Sequence, residues 1–186
     1  SDELSFSEGD ILYVLDSSST SGWWRARCGK HSGIIPYNYV SEQTESIDYP
    51  LHEAAKRGNI SFLQECLDNQ VSVNSLDKSG STALYWAAHS GHAEIMKILL
   101  SKSTISVSAQ NKIGDTALHA AAWKGHANCV ELLLQAGAKP SIRNQERKTP
   151  IDLATTPEAA ALLKRASMTQ PPADAGDYGS SDDDED

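Results

Sequence analysis

Four segments of the 186-residue chain repeat one pattern at a nearly fixed interval. They read YPLHEAAKRGN from Tyr49, STALYWAAHSGH from Ser81, DTALHAAAWKGH from Asp115 and KTPIDLATTPE from Lys148. The anchoring apolar residues Leu51, Leu84, Leu118 and Ile151 stand 33, 34 and 33 positions apart. No other feature restricts the fold as much. A unit of this length cannot bury its apolar face alone, so copies must stack and share a core.

Within a unit, Thr82, Thr116 or Thr149 precedes the apolar anchor, where a hydroxyl caps a helix amide. A short helix follows, with Ala87 and Ala88 or Ala121 and Ala122 permitting close approach of neighbours. Gly58, Gly91 and Gly125 end it in a left-handed turn. A second helix carries Leu99 and Leu100, or Leu132, Leu133 and Leu134, into the shared core. This pattern resembles the ankyrin repeat, which implies an all-α solenoid over residues 49–167, in units 49–80, 81–114, 115–147 and a cap, 148–167.

The departures are local. Tyr49 and Asn59 stand where Thr and His are usual, and Tyr85 replaces a His. An added residue in SKSTIS, after Leu100, reshapes the second connection. Thr155, Thr156 and Pro157 replace the Gly-His turn, and a last helix is expected over Pro157 to Ala166, with Lys164 and Arg165 near its end. His52, His119 and His126 are expected to hydrogen-bond between repeats, because no nucleophile or metal set accompanies them. The residues two and five past each anchor share a helix face, which in this family lines the concave surface. They are Glu53 and Lys56, Trp86 and His89, then Ala120 and Trp123. With Tyr85, Trp86 and Trp123 are either neighbours in a protein-binding patch or rings packed locally on the hairpins.

The first 48 residues follow another rule. Asp10–Asp16 is β-rich, Trp23–Cys28 alternates, and Gly33–Val40 closes the unit as a strand-like run. E-L-S-F-x-x-G-D, G-W-W-x-A-R and G-x-I-P-x-N-Y-V together resemble the SH3 domain, a small all-β barrel, here without its opening strand, over 1–45. The resemblance implies a groove for proline-rich segments, which dock with little loss of entropy. It makes Trp23 the wall, Pro36 and Tyr39 the floor, and Asn38 a hydrogen-bond donor. It gives Asp2, Glu3 and Glu8 the acidic arm that meets a ligand cation. By itself Trp23 also fits a core position; Trp24 is expected to face away and be structural. Residues 46–48 serve as linker, with Ile47 packing on the first repeat in a fixed arrangement. The chain opens on Ser1 and lacks that strand, so either a longer protein carries it or the barrel is incomplete.

Charge separates the regions further. The net charge is -9: residues 1–48 hold eight acids and three bases, 49–167 ten acids and thirteen bases, and 168–186 seven acids and no base. Overall acidity argues against direct nucleic-acid binding. The low-apolar tail 168–186 is expected to be disordered; Ser180 and Ser181 precede acids and suit an acid-directed kinase, or the tail simply aids solubility. Cys28, Cys66 and Cys129 give no disulfide framework and suit a reducing, cytoplasmic setting. Cys28 and His31 alone do not make a metal site, and no hydrolase or phosphate-loop motif occurs. No membrane-spanning run is present in the sequence.

The expectation is therefore a monomeric, non-catalytic adaptor without cofactor. The order of SH3 unit, linker, four ankyrin units and acidic tail resembles the osteoclast-stimulating factors, a family of small intracellular adaptors. That resemblance implies promotion of osteoclast formation and bone resorption through secreted factors, with Src-type kinases and RNA-processing complexes among its partners. The alternative is an ankyrin regulator that masks a transcription factor or a nucleic-acid-binding protein, using basic hairpin tips at Lys78, Lys112, Arg147 and Lys148.

Overall fold

The computed structural model describes residues 2–7, 10–43 and 46–169, with backbone alone over 41–43. An antiparallel sheet of three strands in the order β1 (Leu12–Asp16), β2 (Trp23–Cys28), β3 (His31–Pro36) opens the chain. Its core is small: Leu4, Ala26 and Ile35 are buried, with Phe6, Leu12, Trp24 and Val40 packed around them. The segment before β1 lies against β3. Leu4 N–H donates to the Ile34 carbonyl at 3.0 Å, and Ile34 N–H to the Asp2 carbonyl at 2.9 Å. Gly33 makes this approach possible, since a Cβ there would stand 2.6 Å from the Asp2 carbonyl oxygen.

The strand-like run expected to Val40 stops early. β3 ends at Pro36, and Tyr37–Gln43 forms a helix, α1. Trp23 is the first residue of β2 and pairs with Pro36, so residues past Pro36 have no β2 residue opposite them. Strand preference of Tyr and Val is realised only against a neighbour; here Tyr37 N–H turns back to the Gly22 carbonyl at 3.0 Å and the chain coils.

Residues from Pro50 onward form paired helices: α2 (Pro50–Arg57) with α3 (Ile60–Asp68), α4 (Ala83–Ser90) with α5 (Ala93–Leu100), and α6 (Ala117–Lys124) with α7 (Ala127–Gln135). A single 3₁₀ turn, Pro150–Leu153, then stands in for an inner helix before α8 (Pro157–Thr169). α8 runs three residues past the Ala166 end expected from sequence, so Met168 and Thr169 are helical rather than tail. One continuous core joins all four units, from Leu51 through Leu84 and Leu118 to Leu163.

Local signals act as the sequence implies. Thr82 and Thr116 cap their helices by accepting the N–H of Tyr85 and His119 at 3.2 and 3.5 Å. Thr149 instead donates its hydroxyl to Asp152 at 2.8 Å. Gly58, Gly91 and Gly125 have φ of 68°, 77° and 75°. Each turn is sealed by the next unit. A Cβ on Gly58 would stand 2.8 Å from the His92 ring, one on Gly91 2.8 Å from His126, and one on Gly125 2.6 Å from Thr156. His92 also donates from Nε2 to the Lys56 carbonyl at 3.0 Å, and Thr155 Oγ1 donates to the Trp123 carbonyl at 3.1 Å.

Sheet and stack touch at α3, where the Tyr13 hydroxyl lies 3.7 Å from the Cys66 sulfur. Burial there, with Cys66 beside it, raises the Tyr13 phenol's pKa above its ordinary value. Ile47, expected to pack on the first repeat, is instead 45% exposed.

Candidate functional site

Two surfaces gather the residues singled out in the sequence. On the sheet, the Trp23–Pro36 pairing places both side chains together, and helix α1 begins directly after Pro36. Trp23 is 36% exposed and Tyr39 42%, while Pro36 is half-buried and Asn38 exposed. Trp24 alternates to the other face, packs on the sheet's core and meets Tyr37 at 6.1 Å between ring centroids. Phe6, not singled out in the sequence, holds Tyr39 edge-to-face at 5.1 Å. Asp2 and Glu3 are exposed on the strip hydrogen-bonded to β3. Glu8 lies outside the described residues.

On the stack, the residues expected on one concave face come together, apart from Ala120. Ala120 is buried, because α6 is wedged between α4 and the 3₁₀ turn and its alanines fill the interfaces. Trp123 is exposed and Trp86 half-buried against the stack's core, and His89 lies between them, 5.4 Å from the Trp86 ring and 5.9 Å from that of Trp123. Tyr85 completes the group, 5.3 Å from Trp86 and 6.3 Å from His89. Cations close both ends: Lys56 Nζ sits 4.2 Å from the centre of the Trp86 ring and Lys124 Nζ 4.4 Å from that of Trp123. Such contacts draw an ammonium to the negative ring face.

Trp86 is anchored and Trp123 is not. The Trp86 indole Nε1–H donates to Asp77 at 2.7 Å, and that carboxylate also takes two backbone N–H groups, from Ser79 and Ser81, at 2.9 and 3.0 Å. These bonds lower the Asp77 pKa despite partial burial. Trp123 is 51% exposed. The His89 pKa is held below the usual imidazole range, first by burial and then by Lys124, His126 and Lys56. The ladder thus runs cation, indole, neutral imidazole, indole, cation across three repeats. Lys56 was expected on this face but its contact with Trp86 depends on repeat stacking, and Lys124 directly follows Trp123 in the chain.

The buried histidines have structural partners. His52 Nε2–H donates to the Ser81 carbonyl at 2.9 Å, and His119 Nε2–H to that of Lys148 at 3.1 Å. His119 Nδ1 is met by Thr116, at 2.9 Å from its hydroxyl. His52 Nδ1 has no such partner, and Tyr49 occupies the corresponding Thr position. Among the described residues no group of three or more His, Cys, Asp or Glu could hold a metal, the three cysteines are free thiols, and no helix is long and apolar enough to cross a membrane.

A sheet with an exposed aromatic row, joined to a capped stack of helical pairs, defines a protein assembled from interaction modules. Family comparisons agree: the SH3 domain family matches residues 1–37 and ankyrin repeats, in three copies, match residues 51–144. Osteoclast-stimulating factor 1 of Rattus norvegicus is 60% identical over 168 residues, covering 90% of this chain and 78% of that protein. The Gallus gallus protein of the same name is 60% identical over 164 residues, 88% of this chain and 81% of its own. That of Monopterus albus is 55% identical over 185 residues, 98% and 86%. The chain belongs to the osteoclast-stimulating factor 1 family.

Proposed function

We propose that this protein is a non-catalytic cytoplasmic adaptor that joins a proline-rich partner on its sheet to a second protein on its helical stack. The observation that carries the reading is the exposed Trp23 beside the half-buried Pro36 and exposed Tyr39, an apolar row with polar Asn38 at its margin. Such a row suits a polyproline helix, whose ridges need shallow aromatic slots and whose carbonyls need a donor. Asp2 and Glu3 favour a cation flanking the proline-rich segment. The Trp86–His89–Trp123 ladder with Tyr85 is the surface for the second partner, with the exposed Trp123 indole braced by a ring that is itself fixed to Asp77. The proposed boundaries are residues 1–45 for the first module and 49–167 for the second.

Held on one frame, two sites raise the effective concentration of one partner near the other. The names of the relatives support a role in stimulating osteoclasts, which we read as indirect, with Src-type kinases and RNA-processing complexes as partner classes. The exposed cations Lys78, Lys112 and Arg147 favour a second reading, in which the stack covers an acidic surface of a nucleic-acid-binding regulator.

Pull-down with the full chain and with Trp23→Lys, read by mass spectrometry, tests the first reading. Proline-rich partners lost in the variant while others stay bound would support it; an unchanged set would overturn it. Trp86→Ala with Trp123→Ala separates the second site, and retention of every remaining partner would remove the ladder from the account.

A further inference from the structure

The face that carries the indole ladder sorts its charges along the inner helices. Acids stand at the hairpin end. Asp77 holds the Trp86 indole and two backbone amides, and Asp115 accepts from Asn144 Nδ2 at 2.8 Å. Burial raises the Tyr85 phenol's pKa, and these two carboxylates add to it. Cations stand at the other end. Lys56 and Arg57 close α2, His89 lies in the last turn of α4, and Lys124 ends α6. Glu53 is shared between two of them, 3.5 Å from Lys56 and 3.4 Å from Arg57. Among the described residues Lys124 joins no ion pair. Beyond burial, the groups that hold His89 neutral are Lys124, His126 and Lys56, all acting in the sense of positive charge.

The helix ends do not offset these cations. The Lys56 carbonyl is taken by the His92 Nε2–H at 3.0 Å and the Trp123 carbonyl by the Thr155 hydroxyl at 3.1 Å, so the partial negative charge of those ends is met by the following unit. Each indole already has an ammonium over its ring, Lys56 Nζ at 4.2 Å from the Trp86 centre and Lys124 Nζ at 4.4 Å from that of Trp123. A cationic ligand would have to displace an ammonium and then lie beside it. An anionic group instead meets an ammonium that is held in place, with less side-chain freedom left to lose. Beside Lys124, the Trp123 ring is 51% exposed and offers an apolar contact to the same visitor.

We propose that the ladder receives an acidic segment of a partner protein, in which an aromatic or aliphatic side chain packs on Trp123 while neighbouring carboxylates meet Lys124 and, at the far end, Lys56. This rests on the reading of the ladder as the second partner's surface and specifies what that partner carries. The occupant is a protein segment and not a nucleic acid, because the chain's net charge of -9 opposes a polyphosphate backbone. A few carboxylates need only the cations that are present.

Phage display of random dodecapeptides on the full chain carrying Trp23→Lys, which silences the sheet, supplies the probe. Selected peptides are then synthesised and their affinity read by fluorescence anisotropy. Expected are sequences rich in Asp and Glu around an aromatic residue or Leu. Trp123→Ala should weaken them at least ~30-fold, the scale of an interface hot spot. Lys124→Gln should weaken them about three- to fivefold, the scale of an exposed ion pair, and that difference should vanish in 1 M salt, where screening acts beyond about 3 Å. Both side chains are exposed, so the unfolding midpoint should not move. Peptides that need Trp123 yet are basic or uncharged would overturn the acidic class and leave the ladder as a docking surface. If no selected peptide is weakened by Trp123→Ala, the ladder itself falls as a partner surface, and the proposal with it. Oligothymidine that binds more tightly than the peptides and is weakened by both substitutions would assign the face to nucleic acid and overturn the proposal.

Discussion

The sheet and the stack are built at opposite ends of a scale of self-sufficiency. The sheet closes on three buried side chains, Leu4, Ala26 and Ile35, whereas the stack shares one core that runs through every repeat from Leu51 to Leu163. The sheet spends its large aromatics on the surface: Trp23, Tyr37 and Tyr39 are exposed. The stack keeps leucines and alanines inside and places its indoles over an already complete core. The sheet thus exposes a row of aromatics over a very small core, and the Tyr13–Cys66 contact is where it meets the stack.

The largest effect should come from the shared core. Leu118→Ala removes a buried side chain from α6, between two neighbours, and should cost about 2–5 kcal/mol. Thermal unfolding followed by helical circular dichroism should show a single lowered transition; separate melting of flanking repeats would break the picture of one core. The sheet's counterpart is Gly33→Ala, which drives a methyl against the Asp2 carbonyl. It should cost about 1–3 kcal/mol, the scale of an overpacked site. Near-ultraviolet signals of Trp23 and Trp24 should be lost while helical signal stays. Loss of both together would show that the stack depends on the sheet as well.

Acid sharpens the contrast. Burial holds His119 neutral, below the ordinary imidazole range, while its Nε2–H is donated to the Lys148 carbonyl. The unfolded chain takes up that proton first as pH falls. Stability is therefore whole above about 6.5 and declines below it. Denaturant unfolding between pH 7.5 and 5 should show this slope, flattened in His119→Gln; a slope that persists there would place the proton elsewhere. Tyr49→Thr should work in the other direction, giving His52 Nδ1 the hydroxyl that His119 already has and adding about 1 kcal/mol, the usual net worth of a hydrogen bond. The smallest effect is chemical. Burial pushes the Cys129 thiol up to about 11, and the side chain is fully enclosed. Native protein at pH 8 should alkylate at Cys28 well before Cys129, and equal rates would show that the repeats open as readily as the sheet edge.

What could be read from the sequence was what is local. Thr82 and Gly91 act within a turn of their own positions, so helix starts and stops followed from residue type. β2 likewise matched its alternating run from Trp23 to Cys28. Tyr37–Val40 misled because its strand preference needs a partner strand, and the ladder had ended at Pro36. Ala120 misled because a helical face seen from one repeat does not tell which side the next repeat covers. The ladder's order, with His89 between the indoles and Lys56 over Trp86, joins residues some thirty positions apart. Only the stacking distance decides such pairs, and periodicity leaves it open to the size of each side chain. Asp77 shows the same limit, since its role as the brace of Trp86 depends on a hairpin folded back nine residues.

The turn seals carry a consequence for how such an array is bounded. Each glycine turn accepts an imidazole from the following unit, except the last, which accepts Thr155 and Thr156, and that final unit offers no glycine turn of its own. Lengthening the array at this end would therefore need two coordinated changes, a new receptor turn and a new ring to fill it. The repeat number is in this way written into the chain as a terminator, not left to chance duplication.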